Sequence, residues 1–378
     1  MAIACVADYR EAARKTLPRF MFDYIDGGSY GEVTLRRNVE DLTAVTLSQN
    51  VMRDVSRRSM RVDLFGQTWS MPVALGPVGF AGMFARRGEV QAARAASDFG
   101  LPFCLSTLSI CSVEEVVKSV SPVWFQLYMI KDRGYMQALL ERVSAARCPV
   151  LVLTVDLAAS GARYRDVHTG MSGADRVGGA LKMALQAAAR PGWAATVGVA
   201  GRPHTFGNLA AASKKLKGVT EFASWVGANF DPGVTWNDLD WVRARWRGPI
   251  VVKGILNPKD ANDALAAGAD GLVVSNHGGR QLDGASSTIR ALPAIVDAAA
   301  GRAPTLFDGG IRSGLDVLRA MALGAQGCLI GRAWAYALAA RGGHGVSQML
   351  EILRSELGVA MSLTGVTNVT AASRALAQ

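Results

Sequence analysis

The chain has 378 residues, of which 50% are hydrophobic and 19% are charged, and its formal net charge is +10. This balance excludes an intrinsically disordered chain, and the length fits either two average domains or one large α/β barrel with additions. The five cysteines form no C-x-x-C pair and no metal-ligand spacing. We therefore expect reduced, buried thiols, as in a cytoplasmic protein.

The first part of the chain, residues 1–70, is predicted to be a helical extension that packs on a larger body. Asp8 and Glu11 predict a capping box for a helix that runs to about Thr16. Pro18 predicts the start of a second, short helix. No basic segment precedes Asp8, so the sequence predicts no export signal.

One uncharged run, residues 64–85, has the length of a membrane span. It contains two prolines and four glycines, so we do not expect a transmembrane helix there. The expected location is the cytoplasm, either free or peripheral on the cytoplasmic face of the inner membrane.

Eight short apolar runs follow residue 71, and helix-compatible segments separate most of them. The runs are Pro72–Val78, Phe103–Leu108, Val123–Tyr128, Val150–Asp156, Ile250–Ile255, Gly271–Ser275, Thr305–Asp308 and Cys328–Gly331. Eight strands that alternate with helices predict a (β/α)8 TIM barrel.

The spacing of the strands predicts one long insertion. The fourth and fifth strands start about 100 residues apart, whereas the others start 20 to 34 residues apart. We place the insertion at 166–232, on the active face of the barrel. The whole chain, 1–378, is then a single domain, with the barrel at 71–340 and a helical segment at 341–378.

Polar side chains stand where these apolar strands end, which is where a barrel of this kind builds its active site. A buried strand packs through apolar side chains, so packing does not explain these polar residues. The residues concerned are Ser106, Gln126, Tyr128, Thr154, Asp156, Lys253, Ser275, His277, Asp308 and Arg332.

The most reactive stretch is Ser275–Asp283, with the sequence S-N-H-G-G-R-Q-L-D. A lone histidine is more often structural than catalytic, but His277 follows a strand, has Arg280 three residues on, and could be oriented by Asp156. The arginine offers a planar fork for a carboxylate. The stretch predicts a base beside an anion clamp.

Two glycine clusters after the seventh and eighth strands predict a phosphate site. They are Asp308–Gly314 and Gly331-Arg332, and each carries an arginine. Either cluster alone could be an ordinary turn. The chain has no G-x-G-x-x-G motif and no Gly-Lys dipeptide, which disfavours NAD and ATP, and no histidine pair has metal-ligand spacing.

With these motifs the chain resembles the FMN-dependent L-2-hydroxy acid dehydrogenases and oxidases. The resemblance rests on Ser275–Asp283, Asp308-Gly309-Gly310 and Gly331-Arg332, and it extends from about Asp8 to Thr367. Within the family, segments such as 85–93 and 161–166 resemble the bacterial respiratory, quinone-linked L-lactate dehydrogenases. The alternatives are an oxygen-reducing oxidase and an (S)-mandelate dehydrogenase.

The resemblance implies FMN as cofactor and a small L-2-hydroxy acid, most closely L-lactate, as substrate. His277 would be the base, Asp156 would hold and stabilise its imidazolium, and Arg280 and Arg163 would bind the substrate carboxylate. Two tyrosines would complete the substrate site: Tyr24 and Tyr128. Whether the electrons leave carbon as hydride or through a carbanion stays open. A homotetramer is implied as well.

The residues implied for FMN binding form a larger set. They are Pro77, Val78 and Gly79 beside flavin N5; Ser106, Gln126 and Thr154 on the isoalloxazine; Lys253 at its N1 and O2 edge, with Ser275 alongside; Asp308 on the ribityl chain; and Gly310, Arg312, Gly331 and Arg332 on the phosphate. Oxidases of the family commonly have Ala where this chain has Gly79. A dehydrogenase that reacts poorly with oxygen is therefore expected.

A basic window lies inside the insertion. Residues 176–217 contain seven Lys or Arg and no Asp or Glu. We expect this window either to dock on an anionic inner-membrane surface and deliver electrons to quinone, or to be a solvated lid. Nucleic-acid binding would leave the polar ring of the barrel unexplained. A third interpretation, a phosphate-binding aldolase or isomerase barrel, would give a colourless protein.

Overall fold

Eight parallel strands form a barrel in the part of the chain that the computed structural model describes, namely residues 2–173, 175–209, 225 and 228–377. An antiparallel hairpin of β1 (Val62–Leu64) and β2 (Gln67–Trp69) precedes it. The barrel strands are β3 (Val73–Leu75), β4 (Cys104–Ser106), β5 (Trp124–Tyr128), β6 (Leu151–Thr154), β7 (Ile250–Ile255), β8 (Gly271–Val274), β9 (Thr305–Asp308) and β10 (Gly327–Ile330).

The strands follow chain order around the barrel. Each strand from β4 to β9 pairs with the next, β10 pairs with β3, and a bridge between Leu75 and Phe103 closes the ring. Val, Ile and Leu dominate these strands because helices cover one face and the barrel core the other. The (β/α)8 prediction is confirmed, and Ile250–Ile255 and Thr305–Asp308 have the predicted bounds.

The helices surround the barrel and form the N-terminal extension. They are α1 (Val6–Thr16), α2 (Arg19–Asp26), α3 (Val33–Ala44), α4 (Gly88–Asp98), α5 (Val113–Val117), α6 (Arg133–Ala145), α7 (Tyr164–Thr169), α8 (Arg176–Ala188), α9 (Asn237–Arg243), α10 (Pro258–Ala266), α11 (Thr288–Ala299), α12 (Gly314–Ala322) and α13 (Arg332–Thr364), which is kinked at Arg341 and Gly342. Shorter helical turns cover Ala81–Met83, Pro191–Trp193, Ala194–Val199 and Val369–Ala371. Within the described ranges, none of these helices has both the length and the apolar character needed to cross a bilayer.

The start of α1 differs from the prediction. The helix ends at Thr16 as expected, but its N-cap is Cys5, and Asp8 is the third helical residue, whose carboxylate accepts the N–H of Cys5 at 3.2 Å. Glu11 forms an ion pair with Arg14 at 2.9 Å instead. The capping box predicted for Asp8 and Glu11 is therefore wrong, because the helix begins two residues before Asp8.

A buried carboxylate joins the extension to the barrel. Asp26, at the end of α2, accepts hydrogen bonds from Arg10 (2.5 Å), Tyr336 (2.7 Å) and Arg165 (2.9 Å). Burial would raise the pKa of Asp26, but these hydrogen bonds hold it at about 2. The ionised carboxylate thus ties α1, α2, the segment after β6 and α13 together.

The described part of the insertion after β6 lies against the segments that follow β4 and β5. The side-chain amide of Asn208 donates to the carbonyl of Ser106 at 3.1 Å, and an antiparallel bridge joins Phe230 to Ile130 after β5. Part of the basic window, including Lys214, Lys215 and Lys217, lies outside the described residues.

The five cysteines are free thiols, as expected. Cys104, Cys111, Cys148 and Cys328 are buried, and burial raises the pKa of each thiol. Cys5 is only half-buried, contrary to the prediction, because it precedes the first helix at the surface.

Candidate active site

The loop after β8 turns sharply and brings His277 over the barrel mouth. His277, Gly278 and Gly279 all have positive φ, of 58°, 65° and 73°. A Cβ on Gly278 would lie 2.6 Å from a terminal guanidinium nitrogen of Arg332, so only glycine fits. The left-handed conformation costs a non-glycine residue such as His277 about 1–3 kcal/mol, a strain that typically accompanies function.

His277 and Asp156 form a hydrogen-bonded pair. Nδ1 of His277 lies 2.8 Å from Oδ1 of Asp156, so the ring proton belongs on Nδ1 and Nε2 is the accepting nitrogen. Nε2 lies 3.5 Å from the hydroxyl of Tyr128. Gly254 leaves the room for this pair, since a Cβ there would lie 2.7 Å from Cβ of Asp156.

The charges around the pair favour a neutral imidazole and an ionised carboxylate. Burial lowers the pKa of His277, and although Asp156 raises it, the positive charges of Lys253 and Arg163 lower it further. Burial would raise the pKa of Asp156, but His277 and Lys253 hold it below its usual value. His277 is therefore available as a base at neutral pH.

The pair borders a cavity of about 290 Å³ at the carboxyl ends of the strands. It brings together most of the side chains predicted for the site. These are Tyr24, Pro77, Val78, Gly79, Ser106, Tyr128, Thr154, Arg163, Lys253, His277, Arg280, Asp308, Gly310, Arg312, Gly331 and Arg332. Asp156, Gln126 and Ser275 stand behind this wall and contact lining residues.

Two arginines face the cavity beside His277. Arg163 has one carboxylate neighbour, Asp166, at 4.0 Å, and its Nε is buried without a partner among the described residues. Burial and repulsion from Arg280 lower the pKa of Arg163 to about 10. Arg280 stacks over the ring of Tyr24 at 4.7 Å, and one of its nitrogens donates to the backbone carbonyls of Tyr24 and Gly27. The two guanidinium groups thus lie on the same cavity as His277 and offer planar donors for a carboxylate.

A lysine held by strands β7 to β9 forms the floor of the cavity. Nζ of Lys253 lies 2.9 Å from Oγ of Ser275 and 2.8 Å from Oδ2 of Asp308, and the Ser275 hydroxyl donates to the same carboxylate at 2.7 Å. Burial would lower the pKa of Lys253, but Asp308 and Asp156 raise it above its usual value. Lys253 therefore keeps its positive charge on the cavity floor, where it is paired with the carboxylate of Asp308.

Polar atoms without partners point to a bound group with its own donors and acceptors. Nε2 of Gln126 and Oγ1 of Thr154 are buried and make no hydrogen bond within the described part of the chain. Leaving such atoms unsatisfied costs about 1–3 kcal/mol each. Together with the cationic floor, these atoms fit the polar edge of an isoalloxazine ring.

The far end of the cavity has the features of a phosphate site. Gly309 and Gly310 have positive φ, and Arg312 and Gly331 line the same end. Arg332 lines it too, but its three guanidinium nitrogens donate to the backbone carbonyls of Ile25 (2.9 Å), Gly278 (2.8 Å) and Gly27 (2.7 Å). Its guanidinium fastens α2 to the His277 loop.

Several lining residues were not predicted from the sequence. Asp166, Met171 and Ser172 come from the start of the insertion, and Phe80 and Leu108 follow β3 and β4. Burial raises the pKa of Asp166. The spacing of Asp166 three residues after Arg163 was a usable signal, because it puts both on one face of a helical turn.

Comparison with known proteins identifies the family. The sequence profile described as FMN-dependent dehydrogenase matches residues 13–378. The chain belongs to the FMN-dependent dehydrogenase family. It is 56% identical to the L-lactate dehydrogenase of Caulobacter sp. (strain K31) over 377 residues, which cover 100% of this chain and 98% of the relative. It is 54% identical to the L-lactate dehydrogenase of Acinetobacter baylyi (strain ATCC 33305 / BD413 / ADP1), covering 98% and 96%.

Solved structures of the family share the fold. A monotopic membrane protein, (S)-mandelate dehydrogenase, superposes with a TM-score of 0.92 at 34% identity and covers 100% of both chains. A mandelate oxidase gives 0.85 at 39% identity, with 98% of this chain and 97% of that chain covered. The predicted family, barrel, enzyme class and FMN cofactor are confirmed.

Proposed function

We propose that this FMN-dependent dehydrogenase oxidises L-lactate to pyruvate. The observation that carries the proposal is the His277–Asp156 pair at 2.8 Å, placed on one cavity with Arg163 and Arg280. Lactate is favoured over mandelate because the relatives named L-lactate dehydrogenase are 54% and 56% identical over nearly the whole chain. The two mandelate enzymes are 34% and 39% identical.

The roles of the side chains follow from their positions. Bound FMN supplies the acceptor for the two electrons that leave the substrate. Oxidation of a 2-hydroxy acid also releases two protons, and Nε2 of His277 takes one of them. The resulting imidazolium is stabilised by Asp156 through Nδ1, while Arg163 and Arg280 hold the substrate carboxylate. Tyr128 contacts the same nitrogen, and Tyr24 keeps Arg280 in place.

The remaining contacts hold the cofactor in this proposal. Pro77, Val78 and Gly79 form the wall beside the ring, and Lys253 places a positive charge against it. Gly310, Arg312 and Gly331 contact the FMN phosphate. Arg332 lines the same end of the cavity and holds the nearby backbone through its hydrogen bonds to Gly278 and Gly27. Equilibrium dialysis of FMN with Arg312→Gln is expected to show weaker binding than with the wild type, whereas Arg302→Gln, on the outer surface, should bind FMN normally. Equal affinity in the two variants would contradict the phosphate assignment.

We further propose that a quinone accepts the electrons at a membrane surface. On α8, Val177, Leu181 and Leu185 are 83%, 63% and 64% exposed. They recur every four residues and so lie on one face of the helix. Val199, on the next helical turn, is exposed as well. An exposed apolar face in a basic window is typical of a peripheral membrane helix.

Vesicle sedimentation tests the docking. Leu181→Ser/Leu185→Ser is expected to abolish most binding to anionic vesicles and to slow reduction of a long-chain quinone in those vesicles, while a water-soluble dye is reduced normally. The matched control is Val359→Ser/Leu363→Ser, which removes exposed apolar area from α13. If the α8 variant and the control bind the vesicles equally well, α8 is not the docking element.

A homotetramer is also proposed, as the resemblance implies. Exposed apolar side chains support self-association: Val51 and Met52 lie in a loop whose neighbour Asn50 bonds to the carbonyl of Leu363. Static light scattering of the FMN-loaded protein should give four times the chain mass. A monomer at micromolar concentration would contradict the proposal.

A further inference from the structure

A second cavity of about 590 Å³ lies outside the active site. It opens between the end of α1, the segment after the turn Ala81–Met83, the helical turns after α8 and the first part of α13. The turn separates the two cavities, since Phe80 lines the first and Phe84 the second. No residue that we assign to catalysis or FMN binding lines the second cavity.

The charged groups of this cavity are all cations. Lys15, Arg86 and Arg190 line it, and no aspartate or glutamate does within the described ranges. Lys15 and Arg86 are exposed and hydrogen-bond through their side chains to no described residue. The nearby carboxylate of Glu11 is already paired with Arg14 at 2.9 Å. Such a concentration of one charge attracts anions.

The interior of the cavity is apolar and rigid. Phe84, Trp193 and Leu338 are buried and form its inner wall. The indole N–H of Trp193 donates to the carbonyl of Met83 at 2.8 Å, and its ring packs edge-on against Phe20 at 5.8 Å. The cavity therefore has exposed cations at its mouth and a fixed hydrocarbon wall within.

The position of the cavity relates it to the exposed apolar face of α8. Its wall includes Ala189 and Arg190, which directly follow α8. Arg190 is held there because its Nε donates to the carbonyl of Leu17 at 3.2 Å. If α8 lies in the interface of a bilayer, the part of the cavity wall that directly follows it is close to that bilayer.

We propose that this cavity binds the phosphodiester headgroup of an anionic phospholipid. Lys15, Arg86 and Arg190 contact the phosphate, and Phe84 and Trp193 contact the upper part of an acyl chain. The proposal rests on the membrane docking proposed above, and it adds a specific lipid site to what would otherwise be a general attraction. A headgroup bound at this position sets the orientation of the enzyme on the membrane surface.

Three variants of the FMN-loaded protein test the site. Lys15→Gln/Arg86→Gln removes two charges at the mouth. Lys118→Gln/Arg147→Gln removes two exposed charges at the opposite end of the barrel and serves as the control. Gly192→Phe fills the cavity without changing charge, because Gly192 lines it and a Cβ there meets no atom within 4 Å.

Isothermal titration calorimetry with short-chain phosphatidylglycerol below its micelle concentration measures the site directly. The mouth variant is expected to bind this lipid roughly 10- to 30-fold more weakly, at roughly three- to fivefold per lost charge. The cavity-filling variant should lose binding, and the control should bind like the wild type. Lactate-dependent flavin reduction should be unchanged in all three.

The outcomes separate this proposal from the docking proposal. If the cavity-filling variant binds short-chain phosphatidylglycerol as the wild type does, or if inorganic phosphate or a neutral short-chain quinone binds more tightly than the lipid, the headgroup assignment fails. Sedimentation of the wild type with phosphatidylglycerol vesicles would then still support docking through α8. Conversely, lipid binding in the cavity without sedimentation would refute docking and leave the cavity site standing.

Discussion

Replacing Asp156 with asparagine tests the pairing on which the proposed chemistry depends. Asp156→Asn keeps the shape of the side chain but removes the negative charge 2.8 Å from Nδ1 of His277. Lys253 and Arg163 both lower the pKa of His277, and in the variant the negative charge of Asp156 no longer offsets their effect. The imidazolium that forms during the reaction becomes less stable, although the imidazole itself stays in place.

The size of the effect follows from the hydrogen bond that is lost. A hydrogen bond to a charged group contributes about 1.5–3 kcal/mol. At about 1.4 kcal/mol per factor of ten, the rate of flavin reduction should fall roughly 10- to 140-fold. Because the pKa of His277 falls further, the acid limb of the pH profile should move to lower pH, since the base becomes protonated only at higher acidity.

Anaerobic stopped-flow reduction of the bound FMN by L-lactate, recorded as a function of pH, measures both quantities. Asp166→Asn is the matched control, because Asp166 is a buried carboxylate on the same cavity that does not contact His277. Its acid limb should stay at the wild-type position. A reduction rate for Asp156→Asn within threefold of wild type, or an acid limb at higher pH, would refute the reasoning.

Four further variants test the other parts of the proposed chemistry and fold. His277→Gln should retain FMN, judged by its absorbance, and lose about 10²- to 10⁴-fold in flavin reduction, because the base is removed while the phosphate end is untouched; a near-normal rate would overturn the assignment of the base. Arg163→Lys and Arg280→Lys should both raise the KM for L-lactate, because the bidentate fork is lost, but only the Arg280 variant should also lower the melting temperature, since only Arg280 also bonds to the backbone of Tyr24 and Gly27; equal melting temperatures would contradict this difference. Asp26→Asn should lower the free energy of unfolding by about 2 kcal/mol at pH 7, because the pKa of Asp26 is depressed from 3.8 to about 2. The depressed pKa makes this contribution present above about pH 4 and lost as the pH falls towards 2, so urea titrations of wild type and variant should converge in acid; a constant difference would refute it.

The barrel could be predicted from the sequence because its signals are local. Most of the buried strands are short apolar runs, and the polar residues that face the site, such as Lys253 and Asp308, lie in or next to these runs. The bounds of some strands, such as Ile250–Ile255, were predicted correctly. The first barrel strand was predicted as Pro72–Val78 but is only Val73–Leu75, because the segment from Pro77 onwards lines the cavity instead of continuing the strand.

The parts that were missed depend on contacts between residues far apart in the chain. The guanidinium of Arg332 bonds to Ile25 and Gly27, which lie more than 300 residues away in sequence. No spacing pattern in the sequence reveals such partners. For Arg332, the resemblance implied only a contact with the FMN phosphate. Met171 likewise lines the cavity because the start of the insertion folds back over the barrel, which local patterns do not predict.

The N-terminal extension has one feature that local sequence signals predict and one that depends on contacts far apart in the chain. The start of its second helix was predicted correctly, because Pro18 marks it locally and is the N-cap of α2. That Tyr24 from this helix reaches the cavity was implied by the resemblance alone. In the structure it does so because Asp26 and Arg280 hold the end of α2 against the barrel.

The most direct test of the central claim is the absorbance spectrum of the purified protein before and after anaerobic addition of L-lactate. The proposed function predicts a yellow protein with flavin bands that bleach on addition of L-lactate and return when a quinone is added. A protein that binds no FMN after reconstitution, or whose flavin bands stay unchanged with L-lactate and with other small L-2-hydroxy acids, would contradict it.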